Sequence, residues 1–169
     1  MKDPGAYQPN VAATLDNLGR LYWSTGRTDE AEKVFGEALA IRRDLVSRDP
    51  GAYRPNVAAT LDNLGALYVS TGRLGEAAKA DGEALAIRRD LAARDPDAYR
   101  PNVAITLHNL GLLYIDMQRQ AEARGMLEEA LNIYRDLMSS NPTMYAARVE
   151  SVSKLLAEPR GSSSSVEGR

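Results

Sequence analysis

A block of 46 residues, repeated in register, constrains this chain more than any other feature. Asp3-Pro4-Gly5-Ala6-Tyr7-Gln8-Pro9-Asn10-Val11 returns as Asp49-Pro50-Gly51-Ala52-Tyr53-Arg54-Pro55-Asn56-Val57. It returns again as Asp95-Pro96-Asp97-Ala98-Tyr99-Arg100-Pro101-Asn102-Val103. The first two copies agree at 36 of 46 positions and the next two at 26 of 46, so the fold must come from one unit that stacks on itself. The units run over 3–48, 49–94 and 95–140. A half-unit follows over 141–158, opening at Asn141-Pro142-Thr143-Met144-Tyr145. Residues 159–169, with Gly161 and Ser162 to Ser165, have the composition of a flexible tail.

Each unit reads as two helices. The first is expected to start at Pro9, where a proline in the first turn costs no hydrogen bond and presets φ. Val11, Leu15, Leu18, Leu21 and Tyr22 are spaced to form one apolar helical face. Gly26 ends this helix, because glycine takes φ > 0 without a steric cost. The second helix is expected from Thr28 to Ser47, with Asp29 and Glu30 in the first turn, where carboxylates suit the helix dipole. Ala31, Val34, Phe35, Ala38, Leu39, Ile41 and Leu45 make its apolar face. Asp49-Pro50-Gly51 is then expected to break the chain. No stretch alternates with a period of two, so strands are not expected. The half-unit is the natural cap, although Ser153 stands where the other copies have leucine.

Leu15-x2-Leu18-Gly19-x2-Tyr22 followed by Ala31-x3-Phe35 and Ala38 resembles the tetratricopeptide repeat. Copy two carries Leu61, Leu64, Gly65, Tyr68, Ala77 and Ala84 in the same order. Copy three carries Leu107, Leu110, Gly111, Tyr114, Ala123, Leu127 and Ala130. The period is longer than the family's usual one of about 34 residues. Thr14 to Tyr22 and Glu37 to Arg42 resemble the long-repeat branch of kinesin light chains. The resemblance implies an all-α, right-handed superhelical solenoid of helix-turn-helix units. It also implies that the first helices line a concave groove for peptides or proteins.

Residues beside the first helix's packing stripe should face that groove: Ala13, Asp16, Asn17, Arg20, Trp23 and Ser24 in copy one. Val69 in copy two and Ile105, His108, Leu112 and Ile115 in copy three hold equivalent places. Asn17, Asn63 and Asn109 recur at one position, and each amide offers a donor and an acceptor. Such a ladder suits the backbone of an extended peptide; the alternative is that these asparagines tie neighbouring helices together. Asp16 has Arg20 four residues on and is expected to pair with it. Asp62 faces Ala66 instead and is the better ligand candidate. His108 reads as a groove residue rather than a catalyst or metal ligand. The family's clamp for C-terminal carboxylates needs lysine and arginine in the groove, and Arg20 is the one basic side chain there in the three full units. The apolar trio Ile105, Leu112 and Ile115 is covered by the half-unit, or meets an apolar partner or a second copy. Asp81 stands where its counterparts are Phe35 and Leu127, a core position in which an unpaired carboxylate is costly.

Composition removes most other chemistries. There is no cysteine and one histidine, which excludes thiol nucleophiles, thiolate zinc sites and multi-histidine metal sites. No phosphate-binding glycine loop or HExxH motif occurs, so no enzyme, cofactor or metal is expected. A net charge of −2 argues against a nucleic-acid partner. No run is long and apolar enough to span a bilayer, and no apolar segment follows Lys2, so neither a membrane segment nor a secretory signal is expected. The cytoplasm is the expected location. The expected function is a scaffold that binds a protein or peptide partner in its groove. The alternative is a structural element that forms homo-oligomers through its repeat ends.

Overall fold

The computed structural model describes residues 7–157; the expected tail, Glu158 and the first connector residues lie outside them. Among the described residues seven helices follow one another: α1 Gln8–Ser24, α2 Thr28–Arg48, α3 Pro50–Ser70, α4 Leu74–Ala92, α5 Pro96–Asp116, α6 Gln120–Ser140 and α7 Pro142–Ala157. Each packs against the next, and α1 also touches α3. The result is an all-α repeat solenoid, with no strand among the described residues.

Two small residues set how closely the helices of a pair approach. A Cβ added to Gly19 would lie 2.5 Å from the Phe35 ring, and one added to Gly111 would lie 2.6 Å from Leu127. Ala31, Ala77 and Ala123 are buried at the facing positions. Two clusters of buried side chains, one around Phe35 and Leu61 and one around Leu107 and Tyr134, share Tyr68 at their margins. The core is thus continuous along the stack.

The turn inside each unit repeats in detail. Gly26 and Gly72 take φ of +77° and +74°, and the Arg27 and Arg73 N–H groups then donate to the Tyr22 and Tyr68 carbonyls. Each arginine folds over that tyrosine, its guanidinium 4.1 Å and 4.4 Å from the ring centroid, and pairs with Glu30 or Glu76. Copy three keeps the clasp with Arg119, Tyr114 and Glu122, but Gln118 holds the left-handed position at φ +59°.

The junction between units differs from expectation. Asp49-Pro50-Gly51 does break the chain, since α2 ends at Arg48 and Asp49 is extended, but it also starts α3. The Asp49 carboxylate accepts the Ala52 N–H at 3.0 Å, and Pro50 occupies the first turn. Asp95 caps α5 in the same way through Ala98, and Asn141 accepts the Met144 N–H at the start of α7. An N-cap followed by proline begins a helix more effectively than it ends one. Pro55 and Pro101, expected to open their helices, therefore lie inside them.

Copy one also departs from its apolar pattern. Val11 and Leu21 are 45% and 57% exposed, whereas Val57 and Leu67 are buried. The later copies have a preceding second helix against that stripe, and α1 has none among the described residues. The half-unit forms as α7, with Val149 and Leu156 packed on the core and Val152 fully buried.

Left-handed backbone costs a side-chain-bearing residue about 1–2 kcal/mol, partly offset by the entropy glycine loses on folding. Gln118→Gly should therefore raise stability by about 0.5–1 kcal/mol in urea unfolding, while Gly72→Ala should lower it by about 1 kcal/mol.

Candidate binding groove

The first helices of the units face a common surface. One cavity of about 360 Å³ opens between α1 and α3, bounded by Ala13, Asp16, Asn17, Arg20, Arg42, Ala59, Asp62 and Asn63. A second, of about 370 Å³, opens between α3 and α5, bounded by Asp62, Ala66, Val69, Asp81, Asn109, Leu112, Leu113 and Asp116. The two share Asp62. Among the candidate residues, the geometry thus gathers Asn17, Arg20, Asp62 and Asn63 around one depression and Asp62, Val69, Asn109 and Leu112 around the next. Asn17 is already engaged, because its side-chain carbonyl accepts a hydrogen bond from Arg20.

Four candidates lie elsewhere. Trp23 reaches across to the next unit, its indole N–H donating to Ser70 Oγ at 3.0 Å. His108 meets the Tyr134 ring edge-on at 6.4 Å between centroids. Burial, and then the charge of Arg148, hold its imidazole below the usual pKa, so it is neutral at pH 7. Ile105 is half-buried in α5. Ile115 packs against the core and borders a third cavity, of about 420 Å³, with Leu127, Leu155 and Leu156. Of the apolar trio, Leu112 remains exposed.

The aspartates do not behave as their local sequence suggests. Asp16 does not pair with Arg20. It is buried and forms an ion pair with Arg42 of α2, and Arg42 also bonds Thr60 Oγ1 and the Asn56 carbonyl of the next unit. Burial pushes the Asp16 carboxyl up, against the pull of Arg42. Asp62, read as lacking a partner, has one: Arg88 grips both its carboxylate oxygens and also bonds Thr106 of the following unit. A first-helix aspartate, a second-helix arginine and a threonine from the next unit thus form a clasp at two successive junctions. The α6–α7 junction replaces it with His108, Tyr134 and Val152, an aromatic contact that Tyr145 extends.

Asp81 occupies the position of Phe35 and Leu127. Its carboxylate lies against the backbone of Gly65, as the Phe35 ring lies against Gly19. It is half-buried at the floor of the second cavity. Burial and the charge of Asp62 push its carboxyl up to about 7, with Arg88 pulling in the other direction.

Comparison with known proteins agrees with this architecture. Tetratricopeptide repeat models match residues 11–50, 57–97 and 89–136, which together cover most of the chain. The chain belongs to the tetratricopeptide repeat family. BtubC (BKLC) from P. vanneervenii superposes with a TM-score of 0.70 at 24% identity, over 88% of this chain. This chain spans 55% of that one. A Podospora anserina putative kinesin light chain with nearly identical TPR-like repeats superposes at 0.60 with 19% identity, over 90% of this chain and 67% of its own. The first tetratricopeptide domain of Spaghetti (RPAP3), bound to an HSP90 peptide, superposes at 0.54 with 18% identity, over 88% of this chain and 95% of its own. No curated protein matches the chain in sequence.

Within this tetratricopeptide array the clasp residues Arg42, Arg88, Thr60 and Thr106 carry no local motif. Their signal lies in the register: where aspartate gives way to His108, arginine gives way to Tyr134 and threonine to Val152. Removing one member of a buried ion pair leaves the other charge uncompensated, at a cost of about 3 kcal/mol or more. Arg42→Met should therefore destabilise the array by about 3 kcal/mol. Arg88→Met should cost about 1–2 kcal/mol, because water reaches the 39% exposed Asp62 side chain and screens it. Urea unfolding of the two variants checks the order, and Asp16→Leu added to Arg42→Met should recover most of the loss.

Proposed function

We propose that the chain is a scaffold module that binds an extended peptide segment of a protein partner along the groove formed by α1, α3 and α5. The observation that carries this reading is the pair of adjoining cavities, with Asn63 beside one and Asn109 beside the other. Neither amide hydrogen-bonds to another described side chain, so both remain available to a peptide's N–H and C=O groups. Membership of a family that includes a peptide-bound relative supports the same use of the groove. Binding, not catalysis, is the function the groove's chemistry supports. None of the described helices is long and apolar enough to cross a membrane, and a cytoplasmic setting suits the reading.

A peptide selected on the immobilised protein from a random library provides the test, with affinity read by fluorescence anisotropy. A lost neutral hydrogen bond is worth about 1 kcal/mol, so Asn63→Ala should weaken binding about fivefold. Asn17→Ala, Asn63→Ala and Asn109→Ala together should weaken it about 30-fold or more. Unchanged affinity in the triple variant would remove the asparagine ladder from the account.

The exposed stripe of α1 favours a second reading. Val11 and Leu21 present to solvent a surface that matching residues bury in later units. A second copy stacking there would make a head-to-tail contact able to propagate. Sedimentation equilibrium should then show concentration-dependent association that Leu21→Asp suppresses; a monomer at every concentration would end this reading.

A further inference from the structure

The cavity between α3 and α5 exists because one core side chain is too short. In copy one the Phe35 ring fills the space between the paired helices down to Gly19, and in copy three Leu127 fills it down to Gly111. Asp81 replaces that packing with a carboxylate at the floor of an opening into the groove, whose walls include Ala66, Val69, Leu112 and Leu113. At about 370 Å³ it lies at the small end of the usual range for ligand sites, roughly 300–1,000 Å³, which suits one side chain better than a folded segment.

The charges around this cavity are unequal. Asp62, on α3, is compensated by Arg88 of α4, whose guanidinium is engaged on both oxygens of that carboxylate and on Thr106. Asp81 makes neither a hydrogen bond nor an ion pair with another described residue. Asp116, on α5, is exposed at the rim of the same cavity. A half-buried carboxylate with apolar walls above it, and a second carboxylate at its rim, complements a long side chain with an aliphatic stem and a cationic head.

We infer that this cavity is the specificity pocket of the groove and that it takes a basic side chain, arginine above lysine, from the bound peptide. The guanidinium meets Asp81 at the floor, and its methylenes lie against Val69 and Leu112. Arginine is preferred because its planar fork can bond a carboxylate through two donors, and because it is less strongly hydrated than an ammonium. The inference deepens the groove reading and rests on it. It adds a chemical class of partner: segments carrying an arginine flanked by residues that tolerate an extended backbone.

The raised pKa of Asp81 gives the pocket a signature that a generally acidic surface lacks. With a carboxyl titrating near 7, Asp81 is mostly charged at pH 8 and mostly protonated at pH 6. Asp62, Arg88 and Asp116 are the charged groups that share the cavity or act on it from α3, α4 and α5. Capture of a cation favours the charged form of Asp81, so affinity should rise with pH across this window. The same shift gives the unliganded fold a pH dependence. A carboxyl held above its unfolded value near 3.8 favours the folded state at low pH, and that contribution fades as pH rises towards 7.

The test is a nuclear magnetic resonance titration of the full chain with N-acetyl-arginine methylamide and its uncharged counterpart N-acetyl-citrulline methylamide. At pH 8 the arginine probe should shift the amides of Val69, Asp81, Gly82 and Leu112 and bind about tenfold more tightly than the citrulline probe. That preference should fall severalfold at pH 6, vanish in Asp81→Asn, and be lost with all binding in Asp81→Leu, which fills the cavity. Asp81→Leu should also unfold at higher urea than the parent at pH 8, showing that loss of binding is not loss of fold. Equal binding of the two probes, or a preference for arginine that survives Asp81→Asn, overturns the inference. The library-selected peptide separates this outcome from failure of the groove itself. A peptide weakened by the asparagine substitutions but indifferent to Asp81→Asn leaves the groove standing without the pocket. One indifferent to the asparagines while the arginine probe still depends on Asp81 leaves the pocket without the asparagine ladder.

Discussion

The close approach of the two helices in each unit is the constraint on which the rest of this solenoid depends. It is set where Gly19 and Gly111 leave room for Phe35 and Leu127, at a separation no side chain on the glycine would permit. With the pair held this tightly, its remaining apolar surface faces along the stack, and the next unit buries it. The turn clasp of arginine, tyrosine and glutamate locks the same geometry from the end of the pair. The groove is a product of this packing: α1, α3 and α5 stand side by side because each is pinned to its own second helix.

At Asp81 the same constraint yields a different outcome. Gly65 still offers the space, but the side chain that enters it is short and charged. The structure tolerates this by leaving a cavity and by raising the carboxyl's proton affinity, both of which are unfavourable for a core position. A site that departs from the packing rule in a repeat otherwise so regular is where function is most readily placed.

Much of this was legible in the sequence. Helix order, the left-handed turn glycines, the small residues of the pair and the anomaly at Asp81 all follow from a repeat that can be aligned with itself. At the junctions Asp49-Pro50-Gly51 breaks the chain as its residues suggest, but the proline and glycine also form the first turn of the next helix. The aspartate in front of them, accepting the Ala52 or Ala98 N–H, turns the same residues into a helix start. The groove aspartates were misread. Spacing along one helix reveals partners three or four residues away, such as Arg20 for Asp16. The actual partners, Arg42 and Arg88, lie 26 residues on, across the helix pair. Exposure of Val11 and Leu21 likewise depends on what stands in front of α1, which no pattern within α1 records.

The substitution of the third clasp changes what holds consecutive units together. In a linear stack each unit is coupled to its neighbours alone, so the chemistry of each junction acts locally. Two junctions are pinned by an arginine bridging consecutive units, and the third is held by apolar contact, with Val152 fully buried and Tyr145, Val149, Leu155 and Leu156 of α7 packed around it. The junctions therefore differ in kind: a buried ion pair must repay the desolvation of its charges, whereas the α6–α7 contact gains from every apolar group it covers.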